Sequence, residues 1–203
     1  MAEITAITPQ IKDKSRCNIE IDGKFYCGMK IDTVLASGLK VGLHVEPAVL
    51  SHLQLESEKL TALDKALKHI SVSMKTEKEI RLFLKKKGYL EDVTNYVLEK
   101  MTDYGFVDDK TYAASYVEGA SKRKGSRLIE LELKQKGVDA ESIEEALSSL
   151  EDETQTAKCC LAKYLRGKPL DEATLKKAYR NLLSKGFDYD TCRQAIESLK
   201  DED

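Results

Sequence analysis

The stretch from residue 104 to 150 opens with YGFVDDKTYA and closes with GSRLIELELKQKGVDAESIEEALSSL, and it contains the start and stop signals of three short helices. Asp108 or Asp109 can cap the first helix, because a carboxylate accepts hydrogen bonds from the backbone amides that a helix leaves free. Ser126 is predicted to cap the second helix, and Gly137 stands where a left-handed glycine ends one. This stretch therefore predicts a three-helix unit.

The third helix of this unit is predicted to begin at Asp139. It carries apolar residues at helical spacing, namely Ile143, Ala146, Leu147 and Leu150. The middle helix has a competing interpretation, since Ile129, Leu131 and Leu133 also alternate as in a strand. The straight-chain residues between and after them, such as glutamate and lysine, favour helix. We therefore predict helix in all three segments.

The same unit recurs with a period of 49 residues. Gly137 lies 49 positions after Gly88 (137 − 88 = 49), and Gly186 lies 49 positions after Gly137 (186 − 137 = 49). A leucine precedes each glycine by four residues and an apolar or aromatic residue follows it, giving Leu84 and Tyr89, Leu133 and Val138, Leu182 and Phe187. A fixed long period is typical of stacked repeats that cover one another's apolar faces. We predict a mainly α fold with three tandem three-helix repeats.

The first 45 residues follow a different pattern and predict a small β-rich head. Asp22-Gly23 separates residues 17–21 from residues 24–27, and this pair between two strand-like segments is a strong hairpin signal. Ile4, Ala6 and Thr8 alternate before Pro9, which suggests an edge strand because proline cannot donate to a sheet ladder.

A connecting region follows the head. One or two helical turns are expected over residues 31–37, ended by Gly38, and Pro47 fits the first turn of a helix that leads into the repeats. The predicted domains are a head containing the β-hairpin and three repeats, with bounds 1–59, 60–107, 108–151 and 152–203.

Bulk composition is that of a soluble, folded chain. Charged residues make up 33% of its 203 residues and hydrophobic residues 41%, and the formal net charge is −2. No apolar run approaches the roughly 18 residues of a membrane span, and the N-terminus lacks a secretory signal pattern. Five cysteines without a C-x-x-C pair fit a reducing cytoplasm. Cys17 and Cys27 could face each other across the hairpin, but the other cysteines offer no disulfide framework.

Charge is sorted among the predicted helices, since the third helices are acidic and the second helices basic. Lys78, Arg127 and Lys176 share one phase of the period, in the first turn, where a cation opposes the helix dipole. Either a partner outside the helix or a solvated face kept for solubility would account for them. We take these three as candidate contact residues together with their basic neighbours Arg81, Lys122, Arg123, Lys124, Lys134, Lys177 and Arg180.

A second phase of the period carries Lys87, Lys136 and Lys185 in the last turns of the same helices. A cation there complements the dipole, so these three need no external partner. The acidic last helix of each unit also argues against sequence-specific helix-turn-helix binding of DNA, in which the last helix enters the major groove.

Residues typical of enzyme chemistry are sparse. His44, His52 and His69 are isolated from one another and lack metal-ligand spacing. Asp108-Asp109 could form an acid/base couple, but adjacent carboxylates before a helix more commonly cap it. No glycine-rich phosphate loop or nucleophile motif is present. We expect no catalytic residue, metal or cofactor.

The repeat motifs resemble the RecX family of bacterial RecA modulators over about residues 60–200. The most diagnostic motif is Gly105-Phe106-Val107-Asp108-Asp109-x-x-Tyr112-Ala113, in which Tyr112 replaces the usual phenylalanine. The other motifs are Thr76-Glu77-x-Glu79-Ile80, Lys87-Gly88-Tyr89, Glu132-Leu133-x-x-Lys136-Gly137-Val138-Asp139 and Leu182-x-x-Lys185-Gly186-Phe187. The head is similar to the N-terminal extension of some longer members.

The resemblance implies an elongated, curved array that lies in the groove of a RecA filament on single-stranded DNA. It implies inhibition of the ATPase, filament extension and strand exchange of RecA without chemistry of its own. Such a regulator is cytoplasmic and acts in homologous recombination, DNA repair and the SOS response. Family members are often markedly basic, whereas this chain has a net charge of −2, so we expect it to reach single-stranded DNA only through the filament. We expect a monomer.

Two other functions stay open. A DNA-binding protein that acts independently of RecA would bind bare DNA tightly and with a steep salt dependence. A helical scaffold for an unrelated partner would leave RecA unaffected.

Overall fold

The computed structural model describes residues 2–150 and 152–199. Within them a short β-rich segment precedes a series of helices. The strands are β1 (Ala2–Pro9), β2 (Arg16–Ile21), β3 (Lys24–Lys30) and β4 (His44–Val45), with helix α1 (Ile31–Ala36) before β4. The further helices are α2 (Pro47–Ile70), α3 (Glu77–Lys86), α4 (Glu91–Asp103), α5 (Asp109–Ala120), α6 (Ser126–Lys136), α7 (Ala140–Ser148), α8 (Thr154–Leu165), α9 (Glu172–Ser184) and α10 (Tyr189–Glu197).

These elements form two compact units. The first contains Met1–Ser73 and Ile80–Phe106, and the second contains Met74–Glu79 and Val107–Asp203. The sheet, α1, α2, α4 and most of α3 therefore belong to the first unit, whereas α5 to α10 and the first residues of α3 belong to the second. Helix α2 runs without a break through residue 60, so the predicted head and the first repeat share one helix.

The strands form one sheet in the order β3-β2-β1-β4. Ile21 pairs with Lys24 around Asp22 and Gly23, whose φ values of 49° and 77° suit a two-residue hairpin turn. The prediction that β1 is an edge strand is wrong, because β1 pairs with β2 on one side and with β4 on the other. β4 pairs only with Ala2 and Glu3, so Pro9 at the other end of β1 lies outside that pairing. With two residues, β4 is too short to give a clear sequence signal.

The predicted hairpin cysteines do not form a disulfide. Cys17 lies opposite Met29 and Cys27 lies opposite Ile19 in the ladder, and both thiols are free. Their side chains belong to the buried core of the head. Burial raises the pKa of Cys27 to about 11, which keeps its thiol protonated at neutral pH.

The 49-residue period is confirmed as a structural period. Helices α2 to α4, α5 to α7 and α8 to α10 form the three repeats, and the glycines after α3, α6 and α9 are left-handed. Their φ values are 85° at Gly88, 90° at Gly137 and 89° at Gly186. The leucine four residues before each glycine has no exposed surface. Each buried leucine stabilises its unit by roughly 1.5–3 kcal/mol relative to an exposed one.

The helix starts match the predicted caps with one exception. Asp108 caps α5 and Asp139 caps α7 through their carboxylates, which resolves the choice between Asp108 and Asp109. Ser126 was predicted to cap α6 but is its first residue, and the cap position belongs to Gly125, which has no side chain to accept a hydrogen bond. The Gly125 backbone lies against the Gly186 backbone, which explains the difference.

Candidate functional site

The second helices of the repeats meet end to end in the second unit, at two places that we call joints. At the first joint the start of α3 lies against the end of α6. Thr76 Oγ1 donates to the Lys136 carbonyl oxygen at 2.7 Å, and Lys78 Nζ donates to the Gln135 carbonyl oxygen at 3.0 Å. The Lys136 ammonium also lies 2.8 Å from the Glu79 carboxylate. The positive end of one helix thus meets the negative end of the next, which is electrostatically favourable.

The second joint repeats this arrangement one period later, with the start of α6 against the end of α9. Gly125 N donates to the Lys185 carbonyl oxygen at 2.9 Å, and Arg127 N donates to the Gly186 carbonyl oxygen at 3.3 Å. Positions 125 and 185 correspond to 76 and 136 of the first joint (76 + 49 = 125, 136 + 49 = 185). A Cβ at Gly125 would lie 2.5 Å from the Gly186 backbone, so the contact excludes any side chain at that cap.

A carboxylate from the following repeat completes each joint. Asp109 Oδ1 accepts from Glu77 N at 2.9 Å, and Glu153 Oε1 accepts from Ser126 N at 2.6 Å. Burial raises the pKa of both the Asp109 and the Glu153 carboxyl above its usual value, because desolvation disfavours the ionised form. Sequence reasoning missed both contacts, since donor and acceptor lie 32 and 27 residues apart.

Asp109→Asn is expected to gain stability relative to the wild type as the pH rises. Between the unfolded pKa near 3.8 and the raised folded pKa, the folded chain binds more protons than the unfolded chain, so Asp109 makes the wild type less stable with rising pH. Asparagine has no proton to release there and still offers an oxygen to the Glu77 amide. Urea denaturation at about pH 4 and pH 7 measures the two free energies of unfolding.

Asp139→Asn is the matched control and should show the opposite sign. Ser142 donates hydrogen bonds to the Asp139 carboxylate, and these lower the pKa of Asp139; the bond from the backbone amide has the larger effect and the bond from the hydroxyl the smaller one. Its ionised form therefore stabilises the fold at neutral pH, and this contribution is lost as the pH falls through the folded pKa. If both substitutions changed stability with pH in the same direction, the burial assigned to Asp109 would be incorrect.

Five of the ten predicted contact cations have partners within the chain. The pairs are Lys78 with the Gln135 carbonyl, Arg81 with Glu91, Lys124 with Glu132, Lys134 with Glu130 and Lys176 with Glu172. The position of Lys78 in a first helical turn therefore has an internal explanation, because its ammonium lies at the negative end of α6. A partner outside the chain is not needed to account for it.

The remaining five cations are exposed and form no salt bridge within the described part of the chain. We call this set the contact surface; its members are Lys122, Arg123, Arg127, Lys177 and Arg180. Lys122 and Arg123 lie in the turn between α5 and α6, and the Arg127 guanidinium lies 5.6 Å from the centroid of the exposed Tyr189 ring. Lys177 and Arg180 are three residues apart on α9, a spacing that places them on one face. All five belong to the second unit.

Tyr112, the aromatic residue of the diagnostic motif, is largely buried between α5 and α6. Tyr112 is 9% exposed, and its ring centroid lies 6.0 Å from that of Tyr116. The Lys136 ammonium lies 5.4 Å from the Tyr112 ring, and Tyr116 Oη donates to Glu132 at 2.7 Å. These contacts join α5 to α6, with Tyr112 in the core of this repeat and Tyr116 packed against it.

Residues 2–150 and 152–199 contain no group of three or more histidine, cysteine, aspartate or glutamate side chains that could hold a metal ion. None of the helices in that part of the chain is long and apolar enough to cross a membrane.

The fold is that of a helical repeat protein, a class in which stacked repeats form extended surfaces. Family models match three parts of the chain. The N-terminal domain of regulatory protein RecX matches residues 2–46, and the first and second three-helix domains of RecX match residues 62–101 and 108–147. The chain belongs to the RecX family of regulatory proteins.

Relatives and solved structures extend the similarity over the whole chain. Regulatory protein RecX of Clostridium botulinum strain Eklund 17B is 34% identical over 97% of this chain and 96% of its own length. The protein of the same name from Bacillus subtilis is 32% identical over 100% of this chain and 79% of its own length. A crystal structure of regulatory protein RecX superposes with a TM-score of 0.70 at 26% identity, covering 97% of this chain and 100% of that one.

Proposed function

We propose that this chain is a non-enzymatic regulator that binds the RecA recombinase, or its filament on single-stranded DNA, and inhibits ATP hydrolysis, filament extension and strand exchange. The observation that carries the proposal is the similarity to proteins named regulatory protein RecX over nearly the full chain. In this proposal the protein acts by occupying a surface of the recombinase.

The contact surface is the part of the second unit that we assign to the recombinase filament. Its cations are exposed and form no salt bridge within the described residues, so their ammonium and guanidinium groups are accessible to a partner. A filament on DNA presents acidic side chains and phosphates together, and exposed cations complement both. Charges of this kind act mainly on the association rate and weaken with salt.

Hydrolysis of ATP by RecA on single-stranded DNA tests the proposal directly. The rate should fall as the full-length protein is added, and the inhibition should weaken as the salt concentration rises, because screening shortens the range of the exposed charges. Bovine serum albumin at the same concentration serves as the control for crowding and adsorption. An unchanged rate at a several-fold excess over RecA would overturn the proposal and favour a scaffold for another partner.

A further inference from the structure

A second basic region lies in the first unit, far along the sequence from the contact surface. A pocket of about 230 Å³ opens where the loop between β1 and β2, helix α2 and the end of α3 come together. Arg16 from the start of β2, Lys65 from α2 and Lys87, which directly follows α3, all line it. Sequence reasoning assigned Lys87 to the helix dipole alone and gave the other two no role.

Each of the three cations of this pocket contacts an uncharged group. Arg16 donates to Thr61 Oγ1 at 2.6 Å and to the Gly28 carbonyl oxygen at 2.9 Å, which fixes the guanidinium and leaves other N–H groups unused. The Lys65 ammonium lies 5.2 Å from the Tyr89 ring centroid and the Lys87 ammonium 5.6 Å from the Phe83 ring centroid. None of the three forms a salt bridge within the part of the chain that the structure describes.

Two carboxylates also line the pocket, and both are engaged by their own neighbours. Asp13 accepts from Ser15 N at 3.0 Å and from Ser15 Oγ at 2.6 Å, and Glu58 accepts a long hydrogen bond of 3.4 Å from Gln54. The lining therefore has three positive and two negative groups. Five further exposed lysines lie within three residues in sequence of a lining residue, namely Lys12, Lys14, Lys68, Lys85 and Lys86.

The C-terminal end of α3 is uncovered, whereas the C-terminal ends of α6 and α9 are each covered by another repeat. A Cβ on Gly137 would meet the Lys78 side chain at 2.6 Å, and one on Gly186 would meet Leu128 N at 2.3 Å, because the preceding repeat covers each of these ends. A Cβ on Gly88 would meet nothing within 4 Å. The first repeat therefore presents this helix end, with its cations, to solvent.

We propose that this pocket binds a phosphodiester group of a nucleic-acid strand. A fixed guanidinium with two ammonium groups suits a phosphate, to which arginine and lysine donate charge-assisted hydrogen bonds. The lining is polar or charged apart from Tyr89 and Gly88, whereas a protein partner would be expected to meet a more apolar centre. The lysines on either side can contact neighbouring phosphates of the same strand. The site goes beyond the RecA proposal and does not depend on it.

Fluorescence anisotropy with fluorescein-labelled oligothymidylate of about 30 nucleotides, without RecA, tests the site. The wild type should bind in the micromolar range or weaker at about 50 mM salt. Lys65→Glu/Lys87→Glu should weaken binding at least about tenfold and reduce the slope of log K against log salt by about 1.4, since each lost single-strand contact removes about 0.7. The matched control, Lys24→Glu/Lys40→Glu, reverses two exposed charges elsewhere in the head and should bind within about twofold of the wild type.

Three results would overturn this inference. The wild type fails to bind the oligonucleotide, the two double variants lose affinity equally, or polyglutamate of the same charge competes as well as unlabelled DNA. The last result would assign the pocket to an acidic peptide instead. Far-ultraviolet circular dichroism of each variant shows that the helices are retained, so a loss of binding reports on the site. Since no recombinase is present, failure here leaves the RecA proposal to be decided by its own assay.

Discussion

Gly186→Ala is expected to lower the free energy of unfolding of the second unit by about 2–5 kcal/mol. The residue has a φ of +89°, where a side chain costs about 1–2 kcal/mol. Its Cβ would also lie 2.3 Å from Leu128 N and 2.8 Å from Leu128 Cα. These are backbone atoms that no rotamer change can move, and overpacking of this kind costs about 1–3 kcal/mol.

Substitutions at two other glycines measure the conformational and the steric contribution separately. Gly88→Ala occupies the equivalent position with a φ of +85° but has open space around the new Cβ, so it should cost only the conformational share of about 1–2 kcal/mol. Gly125→Ala has an ordinary φ of −83° but places its Cβ 2.5 Å from the Gly186 backbone. It should cost only the steric share of about 1–3 kcal/mol.

Urea denaturation followed by circular dichroism provides the three values. Because the chain forms two units, the transition is fitted with two steps wherever one step is insufficient. The expected order of destabilisation is Gly186→Ala first, with Gly88→Ala and Gly125→Ala both smaller. A loss for Gly186→Ala no larger than that for Gly88→Ala would mean that the second joint does not form in solution.

The sequence was sufficient to predict the repeats because their signals are local. The leucine and the glycine of each repeat lie four residues apart, and Asp108 and Asp139 cap helices within three residues of themselves. The prediction from local sequence was wrong at Ser126, although serine is preferred over glycine as a helix cap. Gly125 takes the position because a helix end 60 residues further along the chain lies against it.

The joints show the limit of reasoning from period and dipole. A common phase indicated that Lys78 and Arg127 occupy equivalent positions, but it did not indicate which helix ends touch. Lys78 reaches a carbonyl 57 residues away, and the Arg127 amide reaches one 59 residues away. The edge prediction for β1 failed for a related reason, because its second neighbour is a strand of only two residues.

The basic pocket of the first unit was missed because its cations are far apart in sequence. Arg16, Lys65 and Lys87 belong to a strand, a helix and the turn after a second helix, which no motif connects, and they become neighbours only through the fold. Net charge also concealed it, since a chain with a charge of −2 gives no indication of a local positive region. The candidates of the contact surface were found from the sequence because Arg127 shares a phase of the period with Lys78 and Lys176, and the other four are basic residues near these positions.

The triple variant Lys122→Ala/Arg123→Ala/Arg127→Ala is expected to raise the concentration needed for half-inhibition of the RecA ATPase by about tenfold. Each of these exposed side chains can lose about 0.5 kcal/mol of interaction with an acidic or phosphate group, and a total of about 1.4 kcal/mol corresponds to a factor of ten. The effect should be largest at low salt, because these charges are fully exposed to screening ions. Titration of the protein into RecA on single-stranded DNA at two salt concentrations measures it.

The matched control, Lys24→Ala/Lys134→Ala/Lys176→Ala, removes the same charge from outside the contact surface. Lys134 and Lys176 already pair with Glu130 and Glu172 along their own helices, so their loss should shift half-inhibition by less than about twofold, as expected for exposed pairs of this kind. If both variants inhibited as well as the wild type, the assignment of the contact surface would be wrong, but the proposed regulatory role would still stand. Absence of inhibition by the wild type would instead remove the regulatory proposal, so the two failures are distinguishable in a single titration series.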